Sequence, residues 1–274
     1  MMHMPAIPLK KMFTVVSLLG LSLMLMTCSM APDRIKGDSK PHAGVARARR
    51  LLVHGIDVSK WQGDIDWHAV RRSGTQFAFI KATEGGDHID SKFQQNWHGA
   101  KKAGVPRGAY HFVFWCRPAE EQAEWFKNNV PNDPEALPPV LDLEWNHQSR
   151  NCPKKIPADE ALLMAKTMLQ AMEQHTGKRP IIYTDIPFHE EVLKGELLDY
   201  PFWIRSVAAE PHERYGNRRW TFWQYTTTGQ VPGINVSVDR NAFFGDKAQW
   251  ESMLATNCDP RHVRHLSSLG LCAK

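Results

Sequence analysis

From Leu51 onward, short apolar runs alternate with longer stretches of helical spacing. Val53 to Val58, Phe77 to Ala82, Gly108 to Phe114, Pro139 to Glu144, Arg179 to Thr184 and Phe202 to Ser206 each read as a strand. They are short, rich in β-branched and aromatic residues, and bounded by turn residues. Trp220 to Thr226 and Asn235 to Asp239 supply two more. Between them lie helix signals. Asp66 can cap a short helix through Arg72. Ser91 to Lys102 stops at Gly104, and Pro118 sits where a first helical turn begins before Glu120 to Val130. Ala158 to His175 carries Leu162, Leu163, Ala165, Met168, Leu169 and Met172 on one face and ends at Gly177. The Met164, Met168 and Met172 stripe on that helix reads as core. Strands alternating with helices predict a parallel α/β barrel. The last connections are short and poor in helix, so the barrel is expected to be irregular, TIM-barrel-like, with about eight strands and fewer helices.

That pattern gives the acidic residues their meaning. Leu137 to Leu141 is an apolar run that ends in Asp142-Leu143-Glu144. Side chains alternate along a strand, so Asp142 and Glu144 point to one side, roughly 6.5 Å apart along the chain. Like charges in one small space push one pKa up, leaving one acid protonated and one ionised. Glycoside hydrolysis commonly uses that division of labour. Barrel sites sit at the C-terminal strand ends, where Asp57 and Asp239 are also expected, close together at the closure. Burying such acids without purpose is costly. Glu84 is expected to bond rim backbone, and His111 to be a satisfied core histidine.

Composition changes the picture mainly at the ends of the chain. The 274 residues are 42% hydrophobic and 23% charged, with net charge +5, pI about 8.9 and ten tryptophans. The basic residues are scattered and no nucleic-acid motif occurs, so nucleic acid is not an expected partner. Lys10 and Lys11 precede an apolar stretch from Met12 to Met26, the length of an export-signal core and short for a membrane span. It ends in Leu25-Met26-Thr27-Cys28, a lipobox-like run in which Cys28 would carry lipid. Three outcomes stay open for residues 1–31: an envelope-anchored lipoprotein, a cleaved secreted form, and an uncleaved anchor. Membrane attachment, if any, is expected through this segment. Residues 32–50 read as a polar tether, 51–245 as the domain, and 246–274 as an extension. The five cysteines suit an oxidising compartment. Cys116 with Cys152, and Cys258 with Cys272, are the expected pairs. No C-x-x-C or H-E-x-x-H spacing occurs, and neither metal nor cofactor is expected.

A set of segments carries a family likeness. These are His54-Gly55-Ile56-Asp57-Val58-Ser59 with Trp61-Gln62, and Phe77-Ala78-Phe79-Ile80-Lys81-Ala82-Thr83-Glu84-Gly85. Gly108-Ala109-Tyr110-His111-Phe112, Leu141-Asp142-Leu143-Glu144 and Ile182-Tyr183 follow, then Trp223-Gln224-Tyr225 and Val238-Asp239-Arg240-Asn241-Ala242-Phe243. In this order they resemble the glycoside hydrolase family 25 lysozymes, the Chalaropsis-type N-acetylmuramidases. The resemblance implies cleavage of the β-1,4 bond between N-acetylmuramic acid and N-acetylglucosamine in peptidoglycan. It implies Glu144 as general acid, with Asp57, Asp142 and Asp239 lining the −1 sugar site. It also implies Tyr110, Tyr183, Trp223 and Gln224 as substrate contacts. Peptidoglycan strands would be the partner and the envelope or exterior the site of action, with a monomer expected.

Two acids on one strand lie on the same side of a scissile bond, which suits neither a nucleophile nor an opposed base. Attack by the substrate's own 2-acetamido oxygen, steadied by Asp142, is the preferred expectation. Inversion with Asp57 or Asp239 as base stays open. The rival reading is a non-catalytic glycan-binding module on the same fold. A chitinase is disfavoured because Val140 stands where D-x-x-D-x-D-x-E needs its middle Asp.

Overall fold

The computed structural model describes Asp38, residues 40–147 and residues 149–257. Chain order runs β1 (His54–Val58), α1 (Trp67–Arg72), β2 (Phe77–Glu84), β3 (His88–Ile89), α2 (Phe93–Lys102), β4 (Arg107–Phe112), α3 (Ala119–Asn129) and β5 (Val140–Leu143). Then come α4 (Ala158–Thr176), β6 (Ile181–Thr184), α5 (Ile186–Phe188), β7 (Phe202–Arg205), α6 (Pro211–Tyr215), β8 (Phe222–Gly229), β9 (Val238–Phe243) and α7 (Lys247–Thr256). The sheet order is β1-β9-β8-β7-β6-β5-β4-β2-β3, and a further β1–β2 pairing closes it. The short β3 only extends β2 as a hairpin, so eight strands form the closed barrel.

The helices follow local chemistry. The Asp66 carboxylate accepts from the Ala69 amide at 3.0 Å and starts α1. Asp246 and Gln249 form a reciprocal capping box at the start of α7. α4 opens with Asp159 and Glu160, whose charges suit the positive end of the helix dipole. It stops at Gly177, which is left-handed at φ 66° and donates to the Glu173 carbonyl.

Strand parity divides the apolar residues into two cores. Odd-numbered Phe77, Phe79, Ile181, Tyr183, Trp203 and Phe243 point into the barrel with Val140 and Phe222. Trp250 and Met253 of α7 plug the floor, with the Trp250 ring 5.3 Å from both Phe77 and Phe243. The opposite faces, including Ala78, Ile80, Leu141, Leu143, Ile182 and Ile204, join an outer core with the surrounding helices, among them α4 with Met168 and Met172. The methionine stripe is core, as its spacing suggests.

The eighth barrel strand departs from the expected all-parallel arrangement. β9 is antiparallel to both β1 and β8 and spans Val238–Phe243 rather than 235–239. Residues 230–237 are too few for a crossover, which needs a dozen residues or more, so β8 and β9 form a hairpin. Among the described residues no α-helix then covers their outer face. Residues 40–50, read from sequence as part of a tether, cover it instead. Ala48 is fully buried against Trp223, Tyr225 and Ala242. The His42 amide donates to Thr227 Oγ1 at 2.9 Å, and the His42 carbonyl accepts from Thr226 Oγ1 at 2.6 Å. Gly44 makes the close approach possible: it adopts φ +91°, and a Cβ there would lie 2.3 Å from the Tyr225 carbonyl oxygen.

Cys116 and Cys152 form a disulfide that ties the loop after β4 to the loop after β5. Cys28, Cys258 and Cys272, with the N-terminal segment expected to direct export and most of the C-terminal extension, lie outside the described residues. Among the described residues no helix is long and apolar enough to cross a membrane.

Candidate active site

The same parity that fills the barrel with aromatics lines its mouth with polar groups. Two residues beyond an inward apolar residue comes an inward polar one: Phe79 then Lys81, Val140 then Asp142 then Glu144, Phe222 then Gln224. A cavity of about 270 Å³ opens there. Asp57, Lys81, Tyr110, Asp142, Glu144, Tyr183, Trp203, Gln224 and Asp239 are among its walls. All four acids expected at the site therefore share one space, together with Tyr110, Tyr183 and Gln224. Asp239 reaches the rim by a different route from the one expected. It lies near the start of a reversed strand, directly opposite Asp57 in the β1–β9 register.

Gln224 and Asn241 organise the Asp57 side. Gln224 Nε2 donates to Asp57 Oδ2 at 3.0 Å and to Asp239 Oδ2 at 3.2 Å. Its Oε1 accepts from the Tyr183 hydroxyl at 3.0 Å, which fixes the amide orientation. Asn241 Nδ2 donates to Asp57 Oδ2 at 2.8 Å, and Asn241 Oδ1 accepts from Trp203 Nε1 at 2.7 Å. Two amides thus converge on one carboxylate oxygen of Asp57. Asp142 is different: it is 7% exposed, and its buried Oδ1 has no hydrogen-bond partner.

Burial is the first cause of every acid shift in the cavity. It pushes Glu144 up to about 7, with the Asp185 charge adding to the rise. Asp142 is held well above the ordinary carboxylate range by burial first and by Glu144 second. Asp57 is pushed up to about 6 against the pull of Asn241 and Gln224, and Asp239 to about 8 by burial and then by Asp57. Burial, more than mutual repulsion, thus raises both Asp142 and Glu144, and the free site does not show the expected split into an ionised Asp142 and a protonated Glu144. Arg205 follows the inward Trp203 by two residues, so it points the same way. Its charge lowers Asp57, Glu144, Asp185 and Asp239 alike. Lys81, paired with Glu84, does the same for Asp142 and Glu144.

The backbone of Glu144 is anchored from below. Trp115 Nε1 donates to the Glu144 carbonyl at 2.8 Å. The Trp115 ring stacks on Phe188 at 4.9 Å and packs against Trp145 at 5.4 Å. The disulfided Cys116 is the next residue.

One expected contact is corrected. Trp223 does not reach the cavity: it is 2% exposed, and its indole donates to the Ser206 carbonyl at 2.7 Å on the outer barrel face. It precedes the inward Gln224 by one residue, so parity turns it outward. Glu84 bonds the Lys81 ammonium rather than rim backbone. His111 is a core residue as expected: it accepts from Thr83 Oγ1 at 2.8 Å, donates to Gln122 Oε1 at 3.3 Å, and is lowered to about 4 by burial. Asn241, Trp203, Arg205 and Asp185 were not singled out as site residues. Period-two counting from Asp239 and Tyr183 could have found Asn241 and Asp185. Among the described residues no three His, Cys, Asp or Glu side chains are placed to hold a metal ion.

The chain is 37% identical over 209 residues to lysozyme M1 of Streptomyces globisporus, covering 72% of this chain and 69% of that protein. It is 38% identical over 207 residues to the uncharacterized protein YegX of Escherichia coli O157:H7, covering 74% and 73%. Its fold matches the solved structure of a family 25 glycosyl hydrolase from Bacillus anthracis. That match has a TM-score of 0.69 and 36% identity, and it covers 77% of this chain and 96% of the other. The profile of glycosyl hydrolases family 25 matches residues 56–234, and the chain belongs to that family.

Proposed function

We propose that this protein hydrolyses the β-1,4 bond between N-acetylmuramic acid and N-acetylglucosamine in peptidoglycan, with Glu144 as the general acid. It is a glycoside hydrolase of the lysozyme type. The observation that carries the residue assignment is the convergence of Asp142 and Glu144 on one cavity with Asp57 and Asp239. Glu144 is pushed up to about 7, so near neutral pH a useful fraction holds the proton that the leaving oxygen needs.

Asp142 steadies the substrate's acetamido group. Its unpartnered Oδ1 is an acceptor awaiting a donor, and the amide N–H of the −1 sugar is such a donor. That bond favours ionised Asp142 and leaves the proton on Glu144. The acetamido carbonyl then attacks the anomeric carbon as the glycosidic bond breaks, and water opens the cyclic intermediate with retention. Asp57 is less suited to act as a free base, because two amides already occupy its Oδ2. Tyr110, Tyr183 and Gln224 hold the sugar between them.

The deciding experiment is digestion of purified sacculi followed by mass spectrometry of the soluble muropeptides. Muramic-acid reducing ends are expected from the wild type and none from Glu144→Gln. Binding without release of reducing sugar would make the chain a glycan-binding module. First-formed α-anomer by NMR would reject the assisted mechanism. Action on the wall implies work in the envelope or outside the cell, and the Lys10 to Cys28 pattern supports export. Lipidation of Cys28 is tested by intact mass of the envelope fraction.

A further inference from the structure

We propose that Trp61 is a sugar-stacking platform that binds the next ring of the glycan strand, outside the −1 site. The proposal rests on the glycan-hydrolase reading above and names a subsite of the same groove. Trp61 is 77% exposed, the most exposed large hydrophobic side chain among the described residues. It is also a wall of the catalytic cavity. Leaving an indole in water forgoes a large apolar burial, so one held at the lip of a polymer-cleaving site marks a contact surface.

The cavity itself requires such a surface. At about 270 Å³ it lies just under the roughly 300 Å³ at which pockets for drug-sized ligands begin. It holds little more than the reacting sugar. A polymer must continue over the rim, and Trp61 stands there, four residues past Asp57.

The platform is also built to hold still. The short helical turn Lys60–Gln62 opens on a reciprocal cap: Trp61 N donates to Ser59 Oγ at 3.4 Å, and Ser59 N donates to Gln62 Oε1 at 2.8 Å. The Lys60 amide donates to buried Asp90 Oδ2 at 2.9 Å. The Lys60 ammonium lies 5.3 Å from the Trp61 ring centre. Pre-ordering of this kind lowers the entropy lost when a flexible strand binds.

The test compares Trp61→Ala and Trp61→Phe with the wild type on long glycan strands and on the shortest oligosaccharide the wild type cleaves. For Trp61→Ala we expect about a tenfold loss of kcat/KM on long strands, carried by KM. The shortest substrate should lose less than about twofold, and Trp61→Phe should recover most of the long-strand rate. Calorimetric titration of soluble glycan oligomers into Glu144→Gln, with and without Trp61→Ala, reads binding apart from catalysis. Equal losses on short and long substrates, or undiminished long-strand affinity in Trp61→Ala, would overturn the platform while leaving the hydrolase reading intact. Failure of Glu144→Gln to abolish turnover would strike the acid assignment, and the titration would still judge Trp61.

Discussion

Trp115 Nε1 donates to the main-chain carbonyl of Glu144 at 2.8 Å, so the loop after β4 holds the backbone of the proposed acid on β5's rim. The carboxyl of Glu144 has no strand ladder to fix it, because β5 ends at Leu143. Trp115→Phe removes the donor and keeps an aromatic ring. A net hydrogen bond of about 1 kcal/mol sets the scale, so kcat should fall by roughly fivefold to tenfold with KM little changed. Trp145→Phe is the control, since the Trp145 indole donates to Glu191 at 2.9 Å and not to Glu144. Equal kcat losses in the two variants would reduce Trp115 to a packing residue.

Asn241 donates to Asp57 at 2.8 Å and favours the ionised form. Removing that donor in Asn241→Ala should raise the Asp57 pKa further above about 6. If Asp57 must be ionised to receive substrate, the acid limb of the pH–rate profile moves to higher pH in the variant. An unmoved limb would assign it to another group.

The acid cluster should make the fold less stable as pH rises. Asp57 and Asp185 are raised to about 6, Glu144 to about 7 and Asp239 to about 8. The folded chain therefore keeps protons that the unfolded chain releases near pH 4. Between those limits the unfolded state binds fewer protons, so stability contributed by these groups declines with pH. Asp239→Asn removes an acid raised to about 8 and should raise Tm by about 2–4 °C near pH 8 and by less near pH 5. A gain that is equal at both pH values would show that Asp239 is not raised.

The Cys116–Cys152 link closes a loop across a sequence separation of 36 and spans both rim segments flanking Glu144. Paired serine substitution should cost about 2–4 kcal/mol, or roughly 5–15 °C in Tm. Reduction of the wild type should reproduce that shift in thermal unfolding. An unchanged Tm in both would mean that the Trp115, Trp145 and Phe188 packing alone secures the rim.

Much of this protein was legible in its residue order because strand parity is a local rule. Asp142 and Glu144 share a face in any strand, and Phe79 with Lys81 or Phe222 with Gln224 follow the same count. The same rule, applied strictly, turns Trp223 away from the substrate, so that miss came from taking a matching segment as a whole. The direction of β9 was not local. Only closure of the barrel shows that a reversed strand brings Asp239 opposite Asp57, and that residues 40–50 must cover the face the hairpin leaves bare. The pKa order was also out of reach, because desolvation depends on what surrounds a carboxyl rather than on its neighbours in sequence. The sequence by itself determined which residues point inward and which acids are available. The tertiary structure decided which of them meet, how deeply they are buried, and that Asn241, Arg205 and Trp115 stand beside them, because those contacts cross strands that lie far apart along the chain.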